Sequence, residues 1–388
     1  MAEHNQNRRA RILLVDRQDE TIGGAQFVLD QILRSVDRDR FSLSFVCLRD
    51  GPWPQSLRET GMKVDVVPLS RMRDLRSLSS VLRNLSRIFR RDEIDLVHAN
   101  QAPTGLLTGL ASPRRGPAQV WHVYDPFTPR TAKQKAVAMG FRAVRPDGIV
   151  YGTRPAADHF RSWFPSVSST VVLPGIDVER CRQGDGMRAR QKLGIPSEDL
   201  VVSTFGRVHP IKRQVSFLRC IAGVSESSTR RVHGVICGAK GPEGYWRSVE
   251  RLRSELGLGD SVHMTDFVPD QMKDDLVAAS DVVLHLALFE PFGMAVLEAM
   301  AAGKAVVAAD AYGPSSYVSN GENGILVPDG DVERATAAVS RLLADPTERS
   351  ILGKRASKTA EGHSLGAMVG AIEDFWDQVL ESRLSTKH

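Results

Sequence analysis

The sequence lacks any uninterrupted apolar run of about 18 residues, the length that a helix needs to cross a bilayer. No apolar stretch follows the polar residues 1–11, so no secretory signal is visible. The four cysteines (Cys47, Cys181, Cys220 and Cys237) are scattered and form no CxxC or histidine-linked metal spacing. We therefore expect a cytoplasmic protein with reduced thiols rather than a secreted or membrane-spanning one.

The sequence also lacks the Gly-x-Gly-x-x-Gly fingerprint of dinucleotide-binding proteins. The glycines after the first apolar run lie in Thr21-Ile22-Gly23-Gly24-Ala25-Gln26, where the amides of a helix start can face a phosphate or another polar ligand. The second apolar run, residues 41–48, is followed by Arg49 rather than by an acidic residue that could bind a ribose. A nicotinamide-dependent dehydrogenase is therefore disfavoured.

Length and charge set further limits. A chain of 388 residues with 42% hydrophobic residues is long enough for two globular domains. Its net charge of +5 is uneven, because residues 1–175 carry roughly +9 and the remainder is slightly acidic. This asymmetry suits an acidic acceptor or an anionic membrane surface, and an arginine-rich coding bias also produces it.

Strand-like apolar runs alternate with helical stretches in both halves of the chain. They lie at residues 11–16, 41–48, 63–69, 94–99, 118–124, 148–151 and 170–174, and then at 200–206, 232–238, 261–267, 282–288 and 305–309. This alternation predicts two doubly wound parallel α/β sheets. Gly184, Asp185, Gly186 and Pro196 predict a joint of irregular structure at residues 177–199, and residues 364–384 form a periodic apolar helix.

The segment Phe289-Glu290-Pro291-Phe292-Gly293-Met294-Ala295-Val296-Leu297-Glu298 places two carboxylates on either side of a strand-to-helix turn. Gly293 permits close approach to the backbone, and the amides near Met294 and Ala295 carry the partial positive charge of a helix start. Carboxylates beside such a turn suit hydroxyl groups and a phosphate, which a nucleotide sugar combines. The alternative is an amphipathic helix with solvated glutamates.

The segment Gly206-Arg207-Val208-His209-Pro210-Ile211-Lys212 follows the first predicted strand of the second half. Ligands bind at the carboxyl ends of strands in open α/β sheets. There Arg207 can contact two phosphate oxygens and Lys212 can add a second positive charge. The alternative is a solvated surface pair.

These two segments resemble the Gly-Arg-x4-Lys and Glu-x7-Glu motifs of the retaining nucleotide-sugar glycosyltransferases of family 4, and the resemblance runs over nearly the whole chain. It implies a GT-B fold, with two Rossmann-like domains that face a central cleft. On this basis we expect an acceptor-binding domain at residues 1–178 and a donor-binding domain at 179–363. Residues 364–388 would form a helix that crosses back to the first domain.

The resemblance also implies roles for single residues. The catalytic candidates are His122, Arg207, Lys212 and Glu290. The donor-binding candidates are Gly23, Gly24, Gly206, Gly238, Val268, Phe292, Gly293, Met294, Ala295 and Glu298. The acceptor-binding candidates are Asp19, Glu20, Gln26, Tyr124 and Asp125. Alternatives stay open for several of them: Val268 can be a core residue, Asp19 and Glu20 can be solvated loop charges, and a histidine such as His122 can be structural, as we expect of His98.

The implied reaction is transfer of a hexosyl or N-acetylhexosaminyl group, with retention, from a nucleotide sugar (UDP-linked by default). The hydroxyl acceptor would be a glycan, a lipid-linked sugar or a small natural product such as an aminocyclitol. The alternatives are an epimerase or hydrolase of the same fold and a catalytically silent binding protein. We expect no cofactor beyond the sugar nucleotide, no nucleic-acid partner and no metal, because the Asp-x-Asp triplets at 37–39 and 329–331 lie in predicted turns.

Two further segments are left open. The turn at residues 310–316 resembles the family's glycine-rich turn, but it carries Ser316 where members often have an acidic residue, so it is not among the candidates. The stretch 71–91 interleaves leucines with seven arginines. Its leucines can pack on the sheet, or its basic face can lie on the inner face of an anionic membrane.

Overall fold

The computed structural model describes residues 8–20, 24–70, 74–113, 115–125 and 131–385. The chain divides into two compact units. The first unit comprises residues 1–175 and 366–388, and the second comprises residues 176–365.

The first unit alternates strands and helices. Its elements are β1 (Ala10–Asp16), α1 (Gly24–Ser35), β2 (Phe41–Cys47), α2 (Pro52–Glu59), β3 (Lys63–Val66), α3 (Leu75–Arg91), β4 (Leu96–Asn100), α4 (Ala102–Ala111), β5 (Ala118–Val123), α5 (Ala132–Ala143), β6 (Gly148–Tyr151), α6 (Arg154–Phe160) and β7 (Ser168–Val171). Within the described residues, its seven strands pair in parallel in the order β3-β2-β1-β4-β5-β6-β7.

The second unit has the same plan. Its elements are α7 (Val178–Arg182), α8 (Gly186–Leu193), β8 (Leu200–Phe205), α9 (Gln214–Ser227), β9 (Val232–Cys237), α10 (Glu243–Glu255), β10 (Val262–Thr265), α11 (Asp270–Ala279), β11 (Val282–His285), α12 (Met294–Ala301), β12 (Ala305–Ala309), β13 (Ile325–Val327), α13 (Val332–Ala344) and α14 (Pro346–Glu361). Its six described strands are parallel, in the order β10-β9-β8-β11-β12-β13. The prediction of two doubly wound parallel α/β sheets is confirmed.

The central strands, such as β4 and β8, are buried along their whole length because helices cover both faces of each sheet. Leu13 and Val97 lie in the core of the first unit, and Val202, Ile236 and Leu284 lie in that of the second. Helix α3 illustrates how a helix is capped and buries one face against the sheet. Asp74 accepts hydrogen bonds from the amides of Arg76 and Ser77 at its start, and the helix buries Leu85 against the first sheet.

Helix α15 (Leu365–Ser385) packs on the first sheet although it follows the second unit in the chain. The ring of Trp376 is fully buried and meets Phe41 edge to face at 5.4 Å. At the rim of this contact, Glu373 accepts a hydrogen bond from Arg40 at 2.9 Å. This helix therefore completes the core of the first unit.

The structure differs from the sequence-based assignment in several places. The predicted irregular joint at 177–199 contains α7 and α8, because Asp185 caps the start of α8 and Gly194, with φ +66°, ends it. Strand β13 was not predicted, since three residues are too few to show a period. The run 282–288 is a strand only as far as His285, which pairs with Ala308; no pairing of residues 286–288 within the described sheet continues it.

Candidate functional site

In the second unit, the chain crosses to opposite sides of the sheet after β8 and after β11, although these two strands are neighbours. Such a switch point opens a crevice at the carboxyl ends of the strands. The loop after β8 carries Arg207 and Lys212, and the loop after β11 carries Glu290. The amide of Leu288 donates a hydrogen bond to the carbonyl of Ile211 at 2.8 Å, so the two loops are held together.

Three of the side chains at this crevice form one cluster. The ammonium group of Lys212 donates a hydrogen bond to Oε2 of Glu290. Nε2 of His285, the last residue of β11, lies 2.9 Å from the same oxygen. The side chain of Glu290 is 12% exposed and that of Lys212 is 24% exposed, so the pair is only partly accessible to water.

The carboxyl group of Glu290 is ionised in this cluster. Burial alone would raise its pKa, but the hydrogen bond with His285 and the charge of Lys212 outweigh burial and lower the pKa to about 2. The cluster therefore holds a cation that a carboxylate already neutralises. An anionic ligand that enters the crevice must compete with Glu290 for Lys212, or bridge to it.

The start of α12 stands beside this cluster. Gly293 has φ +91°, a conformation that disfavours other residues, and a Cβ there would lie 2.8 Å from the hydroxyl of Tyr317. The amides of Met294 and Ala295, in the first turn, have no acceptor within the helix, as at any helix start. The ring of Phe292 packs against Tyr317 in the core, so only its backbone can face a ligand.

The turn at 310–317 supports this loop. The amide of Gly313 donates a hydrogen bond to the carbonyl of Glu290 at 2.8 Å. The hydroxyl of Tyr317 lies 2.9 Å from the carbonyls of both Phe292 and Gly293. The hydroxyl of Ser316 donates to the carbonyl of Gly313, which makes it part of the turn itself. The turn therefore positions the Glu290 loop through its backbone.

Arg207, Gly206 and Gly238 lie at the ends of β8 and β9. The side chain of Arg207 is exposed, and its guanidinium forms no ion pair with any residue that the structure describes. A Cβ on Gly238 would lie 2.2 Å from the carbonyl oxygen of Gly206, so the two loops can touch only because Gly238 has none. Arg207 follows this contact in the chain and is exposed at the end of β8.

Glu298 lies in a second charged cluster. It is 5% exposed and accepts hydrogen bonds from Lys273 at 2.8 Å and from Arg180 at 3.2 Å. Burial lowers the pKa of Lys273, but the charge of Glu298 more than offsets burial, so that pKa is raised overall. Arg180 also binds Asp274 at 3.0 Å. Both glutamates of the Glu-x7-Glu motif are therefore paired with cations, Glu290 with Lys212 and Glu298 with Lys273 and Arg180.

The loop after β10 carries Val268, which is half-buried, and its neighbour Phe267, whose side chain is 78% exposed. A large apolar ring that is exposed at the carboxyl end of a strand is suited to packing against a planar ligand. The structure thus shows an accessible surface at this loop, and Val268, which is half-buried, does not lie in the core.

The first sheet has its own switch point, between β1 and β4. Asp16 ends β1 and is 1% exposed, and its carboxylate accepts hydrogen bonds from the side chains of Asn100, at the end of β4, and Gln26, at 3.3 Å. Burial raises the pKa of Asp16. Oδ1 of Asn100 is buried and has no hydrogen-bond partner among the described residues. This atom can accept a hydrogen bond from a ligand hydroxyl.

Strand β5 places His122 and Tyr124 beside this group. Both side chains are buried; the two rings stack with centroids 4.4 Å apart, and the hydroxyl of Tyr124 lies 3.1 Å from Nδ1 of His122. Nε2 of His98 lies 3.1 Å from the same nitrogen. Nε2 of His122 is buried without a partner in the described part of the chain. Burial lowers the pKa of His122 well below its ordinary value, so the ring is neutral.

The peptide that follows Asn100 is strained. Gln101 has φ +70° and ψ 147°, a region that residues other than glycine rarely occupy. Its amide donates a hydrogen bond to the carbonyl of His122 at 2.8 Å. This bond ties the ends of β4 and β5 together.

The remaining candidates of the first unit are more dispersed. Gly24 starts α1 and is exposed, Glu20 is exposed, and Asp19 is half-buried against Gly51. Asp125 is exposed in the loop after β5. Gln26 is buried and bonded to Asp16 rather than open to a ligand. Gly23 lies outside the described residues.

Several residues at these sites were not predicted. They are His285, Tyr317, Lys273 and Arg180 in the second unit and Asp16 and Asn100 in the first. His285, Asp16 and Asn100 share one signal in the sequence, a polar residue that ends an apolar strand. Lys273 and Arg180 have no such signal, since only the fold brings them to Glu298.

The Asp-x-Asp triplet at residues 329–331 has structural roles. Asp331 caps the start of α13, and Asp329 pairs with Arg213. Among the described residues, no group of three or more His, Cys, Asp and Glu side chains could hold a metal ion. Nor is any described helix both long and apolar enough to span a bilayer.

Two family models match the chain. The model of Glycosyltransferase Family 4 matches residues 22–180, and that of Glycosyl transferases group 1 matches residues 187–359. The chain is 31% identical over 309 residues to the D-inositol 3-phosphate glycosyltransferase of Saccharomonospora viridis, which covers 74% of this chain and 70% of the relative. A second relative, D-inositol 3-phosphate glycosyltransferase 2 of Catenulispora acidiphila, is 29% identical over 311 residues, 74% of this chain and 71% of the relative.

Solved structures agree on the fold. The crystal structure of Anabaena Alr3699/HepE in complex with UDP and glucose superposes with a TM-score of 0.80 at 23% identity, over 95% of this chain and 100% of that one. WaaG, a glycosyltransferase involved in lipopolysaccharide biosynthesis, superposes with a TM-score of 0.73 at 18% identity, over 94% of this chain and 99% of that one.

Proposed function

Because the chain belongs to the family 4 glycosyltransferases of the GT-B fold, as its sequence motifs predicted, we propose that it moves a hexosyl or N-acetylhexosaminyl group from a UDP-linked sugar to a hydroxyl group, with retention of anomeric configuration. The observation that carries this proposal is the cluster of Lys212, Glu290 and His285 beside the start of α12. It combines a cation, free helix amides and a carboxylate at a switch point, which suits a diphosphate joined to a polyhydroxyl sugar.

In this proposal the second unit binds the donor. The diphosphate binds to Lys212, to the exposed Arg207 and to the amides of Met294 and Ala295. These groups stabilise the charge of the departing nucleoside diphosphate. Once Lys212 turns to phosphate, Glu290 accepts hydrogen bonds from sugar hydroxyls. Glu298 accepts from the ribose hydroxyls and exchanges one of its present cationic partners for them. Val268 and Phe267 pack on the base.

The first unit supplies groups for neutral hydroxyls. Nε2 of His122 and Oδ1 of Asn100 are both buried and lack partners among the described residues. The imidazole nitrogen can donate or accept a hydrogen bond, and the amide oxygen can accept one. A sugar or polyol hydroxyl satisfies both kinds of group. Gly24, Tyr124, Asp19, Glu20 and Asp125 are the further contacts that this proposal assigns to the first unit.

The reaction breaks the bond between the anomeric carbon and the phosphate oxygen and forms one between that carbon and the acceptor oxygen. The bonding electrons leave with the nucleoside diphosphate, and its oxygen takes the proton of the acceptor hydroxyl on the same face of the sugar. No enzyme nucleophile is required. The cations Arg207 and Lys212 can supply the charge stabilisation that a divalent metal supplies in other transferases, so we propose that transfer needs no metal.

For the acceptor we propose a small hydroxylated molecule that carries an anionic group. Two observations support it. The relatives named above are glycosyltransferases of D-inositol 3-phosphate, and residues 1–175 carry the roughly +9 charge that attracts an anion. Glycan and lipid-linked acceptors are the alternatives, and a lipid-linked acceptor would give the basic face of α3 a role at a membrane surface.

The test measures nucleoside diphosphate release from UDP-, GDP-, ADP- and TDP-sugars, each with EDTA or Mg²⁺. Inositol 3-phosphate, inositol, a glycan and a lipid-linked sugar serve as acceptors. We expect release of UDP only with an acceptor, equal rates with EDTA and Mg²⁺, and an axial linkage in the product by NMR. Release of nucleoside diphosphate without an acceptor would instead indicate a hydrolase. A change in the donor sugar would indicate an epimerase, and donor binding without turnover would indicate a catalytically silent member.

A further inference from the structure

We propose that Trp376 of α15 sets the tautomer of His122 through His98, so that His122 presents an N–H donor at Nε2 to the bound substrate. Trp376 and His98 are positioning residues in this scheme, because neither forms a hydrogen bond with Nε2 of His122. The inference rests on the proposed function to the extent that His122 contacts a substrate, whereas the tautomer itself does not depend on it.

The chain of hydrogen bonds starts at the indole of Trp376, whose role as donor is fixed. An indole nitrogen can only donate a hydrogen bond. Nε1 of Trp376 lies 3.0 Å from Nδ1 of His98, so this nitrogen of His98 must be the acceptor and carry no proton. The indole ring is fully buried and also meets the ring of His98 edge to face, with centroids 5.6 Å apart. Water therefore does not compete for this contact.

The contact with Trp376 determines which ring nitrogen of His98 carries the proton. The side chain is fully buried, and burial lowers its pKa to about 3, so the ring is neutral at physiological pH. A neutral imidazole holds one proton, and since Nδ1 accepts from Trp376, that proton is on Nε2. Nε2 lies 3.1 Å from Nδ1 of His122 and donates to it.

His122 therefore accepts at Nδ1 and carries its own proton on Nε2. The hydroxyl of Tyr124, 3.1 Å from the same Nδ1, is compatible with this tautomer as a second donor. In the other tautomer, the Nδ1–H of His122 could donate to Tyr124, but it would also face the Nε2–H of His98. Trp376 disfavours that arrangement because it prevents His98 from reversing.

The chain of hydrogen bonds ends at a nitrogen atom that lacks a partner. Nε2 of His122 is buried, and within the described residues nothing accepts its proton. A buried donor without an acceptor destabilises the protein, and a ligand oxygen at this position would satisfy it. His122 would then act as a neutral donor to a sugar hydroxyl or a developing alkoxide. It could not act as a general base at Nε2, since that nitrogen already holds the proton.

The test follows the imidazole nitrogens directly. In protein labelled with ¹⁵N-histidine, long-range ¹H–¹⁵N spectra distinguish protonated from unprotonated ring nitrogens. We expect wild-type His98 and His122 both to carry the proton on Nε2, and Trp376→Phe to give His122 a mixture of tautomers. Trp53→Phe is the matched control, because Trp53 is also buried and donates an indole hydrogen bond, to Asp30 at 2.8 Å. It should leave the His122 signals unchanged.

Variants of His98 keep the test informative if Trp376→Phe does not fold. The amide of His98→Gln can accept from Trp376 and donate to His122, whereas His98→Leu can do neither. We expect His98→Gln to retain the Nε2–H tautomer of His122 and transfer within about twofold of wild type. His98→Leu and Trp376→Phe should lower kcat about tenfold with the donor KM within about twofold, the size of effect that one hydrogen bond has.

Wild-type His122 with its proton on Nδ1, or an unchanged Nε2–H tautomer in both Trp376→Phe and His98→Leu, would overturn the inference; the latter result would assign the tautomer to Tyr124. Equal rates for His98→Gln and His98→Leu would overturn its functional part. Failure of the proposed function is recognised separately. In that case the wild-type protein releases no nucleoside diphosphate with any of the donors and acceptors, while the tautomers still respond to Trp376→Phe as expected. Transfer by His122→Ala at the wild-type rate would instead overturn the functional part of the inference.

Discussion

The carboxyl ends of the two sheets have the same topology and opposite chemistry. At the switch point of the second sheet, the cation of Lys212 and the carboxylate of Glu290 are already paired. At that of the first, Oδ1 of Asn100 and Nε2 of His122 are neutral hydrogen-bonding atoms that are buried without partners in the described residues. One site is satisfied without its ligand, and the other is not.

The difference reflects the cost of burying each kind of group. A buried charge without a partner is far more expensive than a buried hydrogen-bonding atom without one, which costs about 1–3 kcal/mol. A site that buries cations for an anionic ligand therefore needs an internal counterion that the ligand can replace. A site for hydroxyl groups can leave its donors and acceptors unpaired. The second unit should thus bind by exchange of ion pairs and the first by completion of hydrogen bonds.

The largest effect is expected from Lys212→Ala. If Lys212 moves from Glu290 to the leaving diphosphate, its loss should lower kcat about 10²–10³-fold, with a smaller change in donor affinity. Steady-state kinetics and calorimetry of UDP-sugar binding separate the two. The matched control is Arg213→Asn, which removes a neighbouring cation that pairs with Asp329 and retains a residue able to adopt φ +54°. Equal kinetics for the two variants would refute the exchange of ion pairs.

The second prediction concerns the pH dependence of stability. The pKa of Glu290 is about 2 in the folded protein against an ordinary value of 4.5, so the carboxylate stabilises the fold above pH 4.5, and this contribution disappears as the pH falls towards 2. Glu290→Gln should cost the second unit up to about 3 kcal/mol of unfolding free energy at pH 7 and little near pH 2.

Urea unfolding at several pH values measures this difference. The control is Glu243→Gln, which removes an exposed glutamate that pairs with Arg247, and it should show no such pH dependence. A destabilisation by Glu290→Gln that stays constant from pH 7 to pH 2 would mean that the Lys212 pair does not hold Glu290 ionised.

The third prediction tests the other end of the Glu-x7-Glu motif. Glu298→Gln keeps the shape of the side chain and removes the charge, so it should weaken UDP binding about 10–100-fold, the effect of losing charged hydrogen bonds, while kcat changes less. Calorimetry with UDP measures it, and Glu361→Gln, which removes an exposed partner of Arg182, is the control. Unchanged UDP affinity would remove Glu298 from the nucleotide site.

The smallest effect is expected in the first unit. Asn100→Ala removes the unpaired Oδ1 and should reduce transfer about tenfold through acceptor or sugar binding, with UDP affinity unchanged. Asn84→Ala on α3, where the amide binds Arg87 at 2.7 Å, is the control. If Asn100→Ala altered UDP affinity as much as Glu298→Gln does, the contrast between the two sites would be wrong.

The sequence predicted the elements that local patterns specify. The alternation of apolar runs predicted both sheets, and the spacing of Arg207, Lys212, Glu290 and Glu298 identified them as candidate donor-binding residues. It could not predict contacts that depend on register or on distant segments. The partnership of His285 with Glu290 depends on where β11 ends, and Trp376 reaches His98 across 278 residues, a distance that no local motif encodes.

Helix α15 also constrains the order in which the protein can fold during synthesis. Residues 176–365 form a continuous unit, whereas the first unit needs residues from both sides of it. The first sheet therefore leaves the ribosome without the helix that covers Phe41 and His98, and it must keep this apolar face exposed or chaperoned until the whole second unit has been made. The interval grows with the length of the intervening unit, so slow translation of residues 176–365 prolongs the exposure.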